Sequence, residues 1–335
     1  MEMQDAEERS KKRGRHWLMI GVIIAVSIIL SIMVIIVYEL LSRRGLPTRE
    51  TDVEAGHLSA YAAWLLGQRT PDYGWSDGMT PDAVVALSLG TPGWCCRLSD
   101  TRLTAQALHI QLLDLLLRTR NNTLQVSSQL AKYSIAAKVL CMDTNDFHGV
   151  NLTDIMRSHV LKYKQMSVSS IHMDGYMHSL LGLAVTGGYV SSDELKLLMN
   201  HQNQDGSFAL PEILPVDSTA QYIQILGVTS VNSRLDVRDI NSGINKGLTY
   251  LQNCFHEKEQ SFGNKSTEGE VLQALYSVGN ISDSYKHLRT SLEEKITDNI
   301  PKYKPFSSTF ECCKVLPALA RHSMIDLKRL VACGT

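Results

Sequence analysis

The 335-residue sequence predicts an all-α protein, in which an α6/α6 toroid of helical hairpins follows an N-terminal transmembrane helix. Three features predict this fold: an uncharged apolar run near the N-terminus, apolar residues spaced by three and four beyond it, and a helical segment that recurs six times. The 33 Lys and Arg residues nearly balance the 34 Asp and Glu residues. Because nucleic-acid binding needs a basic surface, this balance argues against a nucleic-acid partner.

Residues 17–38 are the predicted transmembrane helix. They contain no charged residue, and at about 1.5 Å per residue the helix is long enough to cross a hydrocarbon layer of about 30 Å. Positive residues before the run place residues 1–16 in the cytoplasm: Arg9, Lys11, Lys12, Arg13 and Arg15. We expect an uncleaved signal anchor, because the apolar region of the alternative, a cleavable signal peptide, is typically only about 7 to 15 residues long. The sequence thus predicts a single-pass type II membrane protein, with a stalk over residues 39–51 and an extracellular or lumenal domain over residues 52–335.

Glycan acceptor motifs and cysteines agree with a domain inside the secretory pathway. The acceptor residues are Asn121, Asn151, Asn264 and Asn280, which predict a glycoprotein. The seven cysteines lack the spacing of a zinc site, so in an oxidising compartment some of them should form disulfides. Their odd number leaves at least one thiol free or bonded to another chain.

The recurring segments are the predicted inner helices of the toroid. Each opens with a small or acidic capping residue, and they begin near Asp82, Ser128, Asp174, Asp217, Thr267 and Thr309. More polar outer helices are predicted near residues 52–68, 101–120, 152–166, 192–202, 242–256 and 284–298. The inner helices are apolar around most of their circumference. This favours a closed ring over an open HEAT-like stack, because an open stack would leave one concave face in water.

A closed ring brings the N-termini of the inner helices to one rim. Polar caps and free backbone N–H groups at that rim suit a ligand rich in amides, hydroxyls or phosphate. The sequence shows no catalytic motif and no metal-binding spacing, and His178 is expected to be a core residue. We therefore expect a binding protein, with no metal site, rather than an enzyme.

The inner helices resemble those of the cobalamin carriers, the intrinsic factor, transcobalamin and haptocorrin family, over roughly residues 55–335. The resemblance is carried by SQLA at 128–131, SLLGLAV at 179–185, PVDST at 215–219, GNKSTEG at 263–269 and VLPAL at 315–319. In that family the larger domain is an α6/α6 toroid whose rim forms one half of a cage around the ligand. The resemblance therefore implies that cobalamin, a corrinoid, is the ligand of this chain.

The resemblance also implies particular ligand contacts and a disulfide. Gln129 matches the glutamine in the second inner helix of the family, Tyr176 the tyrosine in the third and Asp217 the aspartate that opens the fourth. Cys141 and Cys333 match a disulfide of the family, which would join the second inner helix to the end of the chain. These pairings are expectations that follow from the resemblance.

Two of the positions that depart from the family pattern belong to the predicted ligand set. Asn264 stands where the family has an aspartate before the fifth inner helix, and Lys314 stands where it has a glutamine in the sixth. Asp174, which opens the third inner helix, joins them. The β-rich second domain of the carriers has no counterpart in this sequence, so we expect weaker binding, or a second protein that covers the ligand.

The sequence thus predicts a membrane-anchored, cobalamin-binding and transport-like protein. A first alternative is a protein-interaction module that kept the toroid and lost the ligand. A second alternative is a toroid enzyme of the terpene-cyclase type, which would need at least two carboxylates that face a large cavity.

Overall fold

The computed structural model of the chain describes residues 49–91, 93–94, 98–118, 124–166, 173–211, 213–230, 237–278, 282–298, 300 and 305–330. The chain divides into two compact units, Met1–Gly56 and His57–Thr335, and the second contains the predicted toroid. A search of the described residues finds no helix that is both long enough and apolar enough to span a membrane. Residues 1–48, which include the predicted transmembrane helix, lie outside this part of the chain.

The helices alternate along the chain between an inner set and an outer set. The inner helices are α2 (Thr80–Gly90), α4 (Ser127–Val139), α6 (Met173–Thr186), α8 (Pro215–Ser230), α10 (Lys265–Ser277) and α12 (Thr309–Leu319). The outer helices are α1 (Arg49–Gly67), α3 (Leu98–Arg118), α5 (Leu152–Gln165), α7 (Ser192–Met199), α9 (Val237–Cys254) and α11 (Asp283–Asp298), and a short α13 (Leu327–Leu330) follows them. Each inner helix begins within two residues of its predicted start. Helix α1 begins at Arg49, inside the predicted stalk.

The inner helices form a closed ring. Each packs against the next in chain order from α2 to α12, and α12 packs in turn against α2. The last contact distinguishes a toroid from an open stack, in which the first and last hairpins lie apart. Together with the absence of strands from the described residues, this confirms the all-α class and agrees with the predicted toroid.

Burial explains why the two sets of helices take different layers. In α2 every residue except Asp82 is buried, so this helix needs neighbours on all sides, as an inner helix has. Helix α9, in contrast, buries one stripe that includes Ile240, Ile244 and Leu248, and leaves its polar face to solvent. The alternation of an all-apolar and a one-faced helix therefore sets the two concentric layers.

Aromatic turns join outer helices to inner helices, and at α2 and α8 they bond to a hydroxyl near the start of the inner helix. Trp75 is buried, and its backbone N–H donates a hydrogen bond of 3.0 Å to the Thr80 hydroxyl at the start of α2. Phe208 is buried in the same way, and its N–H donates a bond of 2.8 Å to the Thr219 hydroxyl in the first turn of α8. These bonds fix the depth at which the helix N-termini lie.

One glycine lets the last two inner helices approach very closely. A Cβ atom on Gly269 in α10 would lie 2.7 Å from the backbone oxygen of Lys314 in α12. No side chain fits at that distance, because the contact is with rigid backbone. The close approach places the residues that follow Gly269 directly against Lys314.

The described residues include only part of the predicted disulfide. Cys141 is disulfide-bonded, whereas Cys254, Cys312 and Cys313 carry free thiols. Cys333 lies outside the described part of the chain. Its pairing with Cys141 therefore stays a prediction.

Two of the four predicted glycan acceptors lie in the described residues, and both cap a helix. The Asn151 side chain accepts a hydrogen bond from the Asp154 backbone N–H at the start of α5, and Asn264 accepts one from the Thr267 N–H at the start of α10. The other two, Asn121 and Asn280, lie outside the described residues. Glycosylation at all four stays a prediction.

His159 in α5 makes the stability of the fold depend on pH. Its side chain is fully buried, and neither ring nitrogen has a hydrogen-bond partner. Burial, with a smaller effect from the charge of Lys162, lowers the pKa of His159 to about 4. An unfolded histidine has a pKa of about 6.5, so the unfolded chain takes up the proton first as the pH falls.

We therefore expect His159 to leave the free energy of unfolding unchanged above about pH 6.5. Below that pH, His159 should lower the free energy of unfolding progressively down to about pH 4. The loss should be about 3 kcal/mol, and the His159→Leu variant should lack this component. Urea unfolding of both proteins between pH 7 and pH 4 measures the difference. Equal pH dependence of the two proteins would contradict the burial of an unpaired imidazole.

Candidate functional site

The inner helices surround a cavity of about 460 Å³. This volume lies in the range of about 300–1,000 Å³ that is usual for small-molecule sites. Every inner helix supplies a polar side chain to its wall: Asp82, Ser128, Asp174, Asp217, Ser266 and Lys314. All but Lys314 lie in the first turn of their helices, so the cavity is located where the inner helices begin.

A buried ion pair between α10 and α12 forms one part of the cavity wall. Lys314 Nζ lies 2.5 Å from a carboxylate oxygen of Glu270, whose side chain is 7% exposed. The other Glu270 oxygen accepts a bond of 2.8 Å from Gln224 Nε2 in α8. Burial alone would lower the pKa of Lys314, but the charges of Glu270 and Asp82 outweigh burial and raise it. Lys314 therefore stays charged inside the wall.

Two further ion pairs continue the wall through α2, α4 and α6. Lys132 lies 3.3 Å from the Asp82 carboxylate, and His178 Nδ1 lies 3.0 Å from the Asp174 carboxylate. Burial would raise the pKa of Asp174, but hydrogen bonds from His178 and Ser128 and the charge of Lys132 lower it to about 2. Asp174 is therefore an ionised carboxylate.

Helix α8 presents acceptor oxygens that have no donor within the protein. Asp217 Oδ1, Gln221 Oε1 and Gln224 Oε1 are buried, lie on residues of the cavity wall and have no hydrogen-bond partner. Burial raises the pKa of Asp217, and a hydrogen bond with Thr267 offsets part of this rise. Because burying an unpaired polar atom costs about 1–3 kcal/mol, such atoms often mark a place where a ligand binds.

Apolar residues lie about one helical turn further along from the charged wall. Val85 follows Asp82, Ile135 follows Lys132, and Leu181 follows His178 at a spacing of three residues. The cavity therefore has a polar rim and an apolar floor. This combination suits a ligand with an apolar body and polar substituents at its edge.

Three of the predicted ligand residues line the cavity. Asp174, Asp217 and Lys314 come from three different inner helices and meet at the same opening. The structure thus brings together residues that are up to 140 positions apart in the sequence. Ring closure is the reason, since it gathers the starts of all six inner helices.

The other three predicted ligand residues do not line this cavity, and their contact with a ligand stays a prediction. Tyr176 is fully buried in the core, where its hydroxyl donates a hydrogen bond of 2.8 Å to the backbone oxygen of Glu194. Gln129 is exposed and outside the cavity wall, which its neighbour Ser128 lines instead. Asn264 is exposed at the start of α10 and bonds to Thr267 as a cap.

Several wall residues were absent from the predicted set. They are Lys132, His178, Gln221, Gln224 and Glu270. The expectation that His178 is a core residue was wrong, because its ring lines the cavity and pairs with Asp174. One signal for the others was available in the sequence: each is a long polar residue inside an otherwise apolar inner helix, at a spacing of four or seven from a residue of the rim.

The wall is rich in charge but does not form a metal site. Across the ranges that the structure describes, no three His, Cys, Asp or Glu side chains are grouped so that they could hold a metal ion. Three of the wall carboxylates, those of Asp82, Asp174 and Glu270, lie next to lysine or histidine side chains instead. The arrangement is that of a binding cavity for an organic ligand.

Comparison with known protein families gives one match. A family model described as eukaryotic cobalamin-binding protein matches residues 94–335, which is more than two thirds of the chain. The matched region contains the inner helices α4, α6, α8, α10 and α12. A search of curated proteins finds no significant match.

The buried ion pair makes a testable prediction about stability. Lys314→Met leaves the Glu270 carboxylate buried without its cation, so the variant should lose about 3–5 kcal/mol of unfolding free energy at pH 7. The double variant Lys314→Met/Glu270→Leu should recover most of this loss, because an apolar pair can replace a buried ion pair at little cost. Urea denaturation measures both values.

An exposed ion pair supplies the matched control. Lys286 lies 2.6 Å from Asp283, but its side chain is 56% exposed, so Lys286→Met should have a far smaller effect. If Lys314→Met were as stable as the wild type, the buried Glu270 carboxylate would not need the Lys314 cation, and the prediction would be wrong.

Proposed function

We propose that this chain, which belongs to the family of eukaryotic cobalamin-binding proteins, binds cobalamin in the cavity at the starts of its six inner helices. Family membership gives cobalamin as the ligand, and the position of the site is our proposal. The observation that supports this position is the set of unpaired, buried acceptor oxygens on Asp217, Gln221 and Gln224. They lie in the same cavity to which all six inner helices contribute.

The chemistry of the cavity suits that ligand. Cobalamin has a large ring whose edge carries carboxamide groups, and each carboxamide offers N–H donors and a carbonyl acceptor. The acceptor oxygens of α8 match the donors, and the ammonium groups of Lys132 and Lys314 match the acceptors. The apolar floor, which includes Val85 and Leu181, can contact the less polar face of the ring.

The mouth of the cavity suggests how the ligand is released or protected. Leu214 and Phe310 belong to the cavity wall, and their side chains are 56% and 50% exposed. Exposed apolar side chains around a binding site favour contact with another protein. We therefore include in the proposal a second protein that covers the open face of the ligand and receives or delivers it.

The proposal also includes attachment to a membrane. The uncharged run at 17–38 and the basic residues before it support a signal anchor, with the toroid on the extracellular or lumenal side. The four glycan acceptor motifs support the same orientation, because glycans are added in the secretory lumen. The function that results is cobalamin binding and transfer at a membrane surface.

The alternative of a terpene-cyclase-like enzyme is less favoured, although the cavity meets one requirement of such an enzyme, which is at least two carboxylates in its wall. Four carboxylates line the cavity, namely those of Asp82, Asp174, Asp217 and Glu270. Two of them pair with a lysine, Asp82 with Lys132 and Glu270 with Lys314, and Asp174 lies 3.0 Å from His178 Nδ1. A site preorganised in this way favours holding a polar ligand, and the matched family is one of binding proteins.

Binding in the cavity is tested by titrating the purified full-length chain in detergent with cobalamin. The visible absorbance of cobalamin should change and saturate, and Asp217→Ala should weaken binding about tenfold or more, because a hydrogen bond to the buried Asp217 side chain is lost. Gln129→Ala and Tyr176→Phe are matched controls outside the cavity wall, and both should keep the wild-type affinity. Absence of any absorbance change at millimolar cobalamin would reject cobalamin binding. Binding that survives Asp217→Ala but not Gln129→Ala would reject the proposed position.

Membrane attachment is tested in the cells that express the chain. The wild type should stay with the membrane after extraction with alkaline carbonate, and removal of N-glycans should lower its apparent mass. Ile24→Arg/Ile28→Arg puts two charges into the apolar run, each of which costs about 2.5–3.5 kcal/mol at the centre of a membrane helix. This variant should lose membrane retention. Release of the wild-type chain by carbonate, with no change of mass, would contradict the anchor.

A further inference from the structure

We propose that the face of α8 formed by Asp217, Gln221 and Gln224 selects the carboxamide form of a ligand group and rejects the carboxylate form. This proposal deepens the proposed function and rests on it. It names the chemical group that the cavity recognises, and it assigns this recognition in part to two glutamines that were absent from the predicted ligand set. We call these three residues the acceptor face.

The three residues of the acceptor face lie on one side of α8. The three residues are separated by four and three positions, which places them on the same side of α8. Gln224 is only 3% exposed, yet its Oε1 has no partner in the protein. Asp217 Oδ1 and Gln221 Oε1 are also buried and unpaired. Three buried acceptors that no protein donor satisfies form a surface to which the N–H or O–H donors of a ligand can bind.

A glutamine side chain can in principle turn over and exchange its donor for its acceptor, but Gln224 is prevented from doing so. Its Nε2 donates a hydrogen bond of 2.8 Å to Glu270 Oε1. If the amide turned over, its oxygen would face the Glu270 carboxylate, and two acceptors would repel each other. Glu270 thus fixes the Gln224 oxygen as an acceptor for the ligand.

Lys314 in turn holds the Glu270 side chain in place. Its ammonium group lies 2.5 Å from the Glu270 carboxylate, and the Lys314 backbone oxygen accepts a bond of 2.7 Å from Gln273 Nε2. The contacts from Lys314 to Glu270 and from Glu270 to Gln224 therefore ensure that Gln224 presents its oxygen, and not its nitrogen, to the ligand. Glu270 and Lys314 are positioning residues in this scheme.

The charges around the cavity penalise a ligand carboxylate. Asp217 belongs to the acceptor face itself, and Glu270 lies next to it. The nearby ammonium groups, Lys314 and Lys132, are already paired with Glu270 and Asp82. A carboxylate at this place would meet like charge and unpaired acceptors, whereas a carboxamide would donate N–H bonds to them.

The experiment compares two forms of one corrinoid on the full-length chain at pH 7. One ligand is cyanocobalamin, and the other is a set of separated cobalamin monocarboxylic acids, each with a single carboxamide hydrolysed. At least one acid should bind about tenfold to a hundredfold more weakly than cyanocobalamin. Binding is followed by calorimetry or by the absorbance of the ligand.

Variants assign the discrimination to the acceptor face. Asp217→Asn removes the charge and supplies a side-chain donor, so the ratio of acid to amide affinity should move towards one. Gln221→Met should weaken the amide by about tenfold and change the acid little, because the lost contact is an acceptor. Gln129→Ala, outside the wall, should keep the wild-type ratio.

The outcomes separate this proposal from the proposed function. Equal affinity of wild type for cyanocobalamin and for every monocarboxylic acid would overturn the acceptor face and leave cobalamin binding intact. An unchanged ratio in both Asp217→Asn and Gln221→Met would also overturn it, because selection would then lie elsewhere. Failure of both ligands to bind would overturn the proposed function as well.

Discussion

The contact between the first and last inner helices is the constraint on which the rest of the structure depends. Because α12 packs against α2, every inner helix has an inner neighbour on each side, and the five from α4 to α12 also pack against an outer helix. Little of such a helix can be polar, and α2 leaves only Asp82 incompletely buried. Polar side chains are therefore concentrated where the helices begin, and ring closure gathers them around one cavity.

Closure also sets the electrostatics of the cavity. Carboxylates that come from different repeats are forced into a small volume, where unpaired charges would be costly. The chain meets this cost with cations from neighbouring helices, as in the pairs Lys132 with Asp82 and Lys314 with Glu270. Asp217 differs, because one of its oxygens stays without a partner. Most carboxylates of the wall thus have a partner within the protein, whereas the unpaired Asp217 oxygen on α8 can accept a hydrogen bond from a ligand.

The sequence predicted the helices and the ring well, because both follow from periodicity and capping. Inner helices that are apolar all round indicated closure, and the rim residues Asp174 and Asp217 lie in the cavity as expected. The side of each helix that faces the axis was harder to predict. One residue turns a helix by about 100°, so Ser128 lines the wall while its neighbour Gln129 is exposed and outside it. That rotation is set by packing between repeats, which no single segment of the sequence encodes.

The departure at Lys314 shows why such a residue has to be interpreted with its spatial partners. Taken alone, a lysine in an inner helix is a buried cation that would weaken the fold. Glu270 lies 44 positions earlier in the sequence and one repeat away, and Gly269 lets its helix approach the Lys314 backbone. Lys314, Glu270 and Gly269 therefore depend on one another in this structure. Because Glu270 also orients Gln224, a pair that first serves to neutralise the wall determines which hydrogen-bonding groups the cavity offers to its ligand.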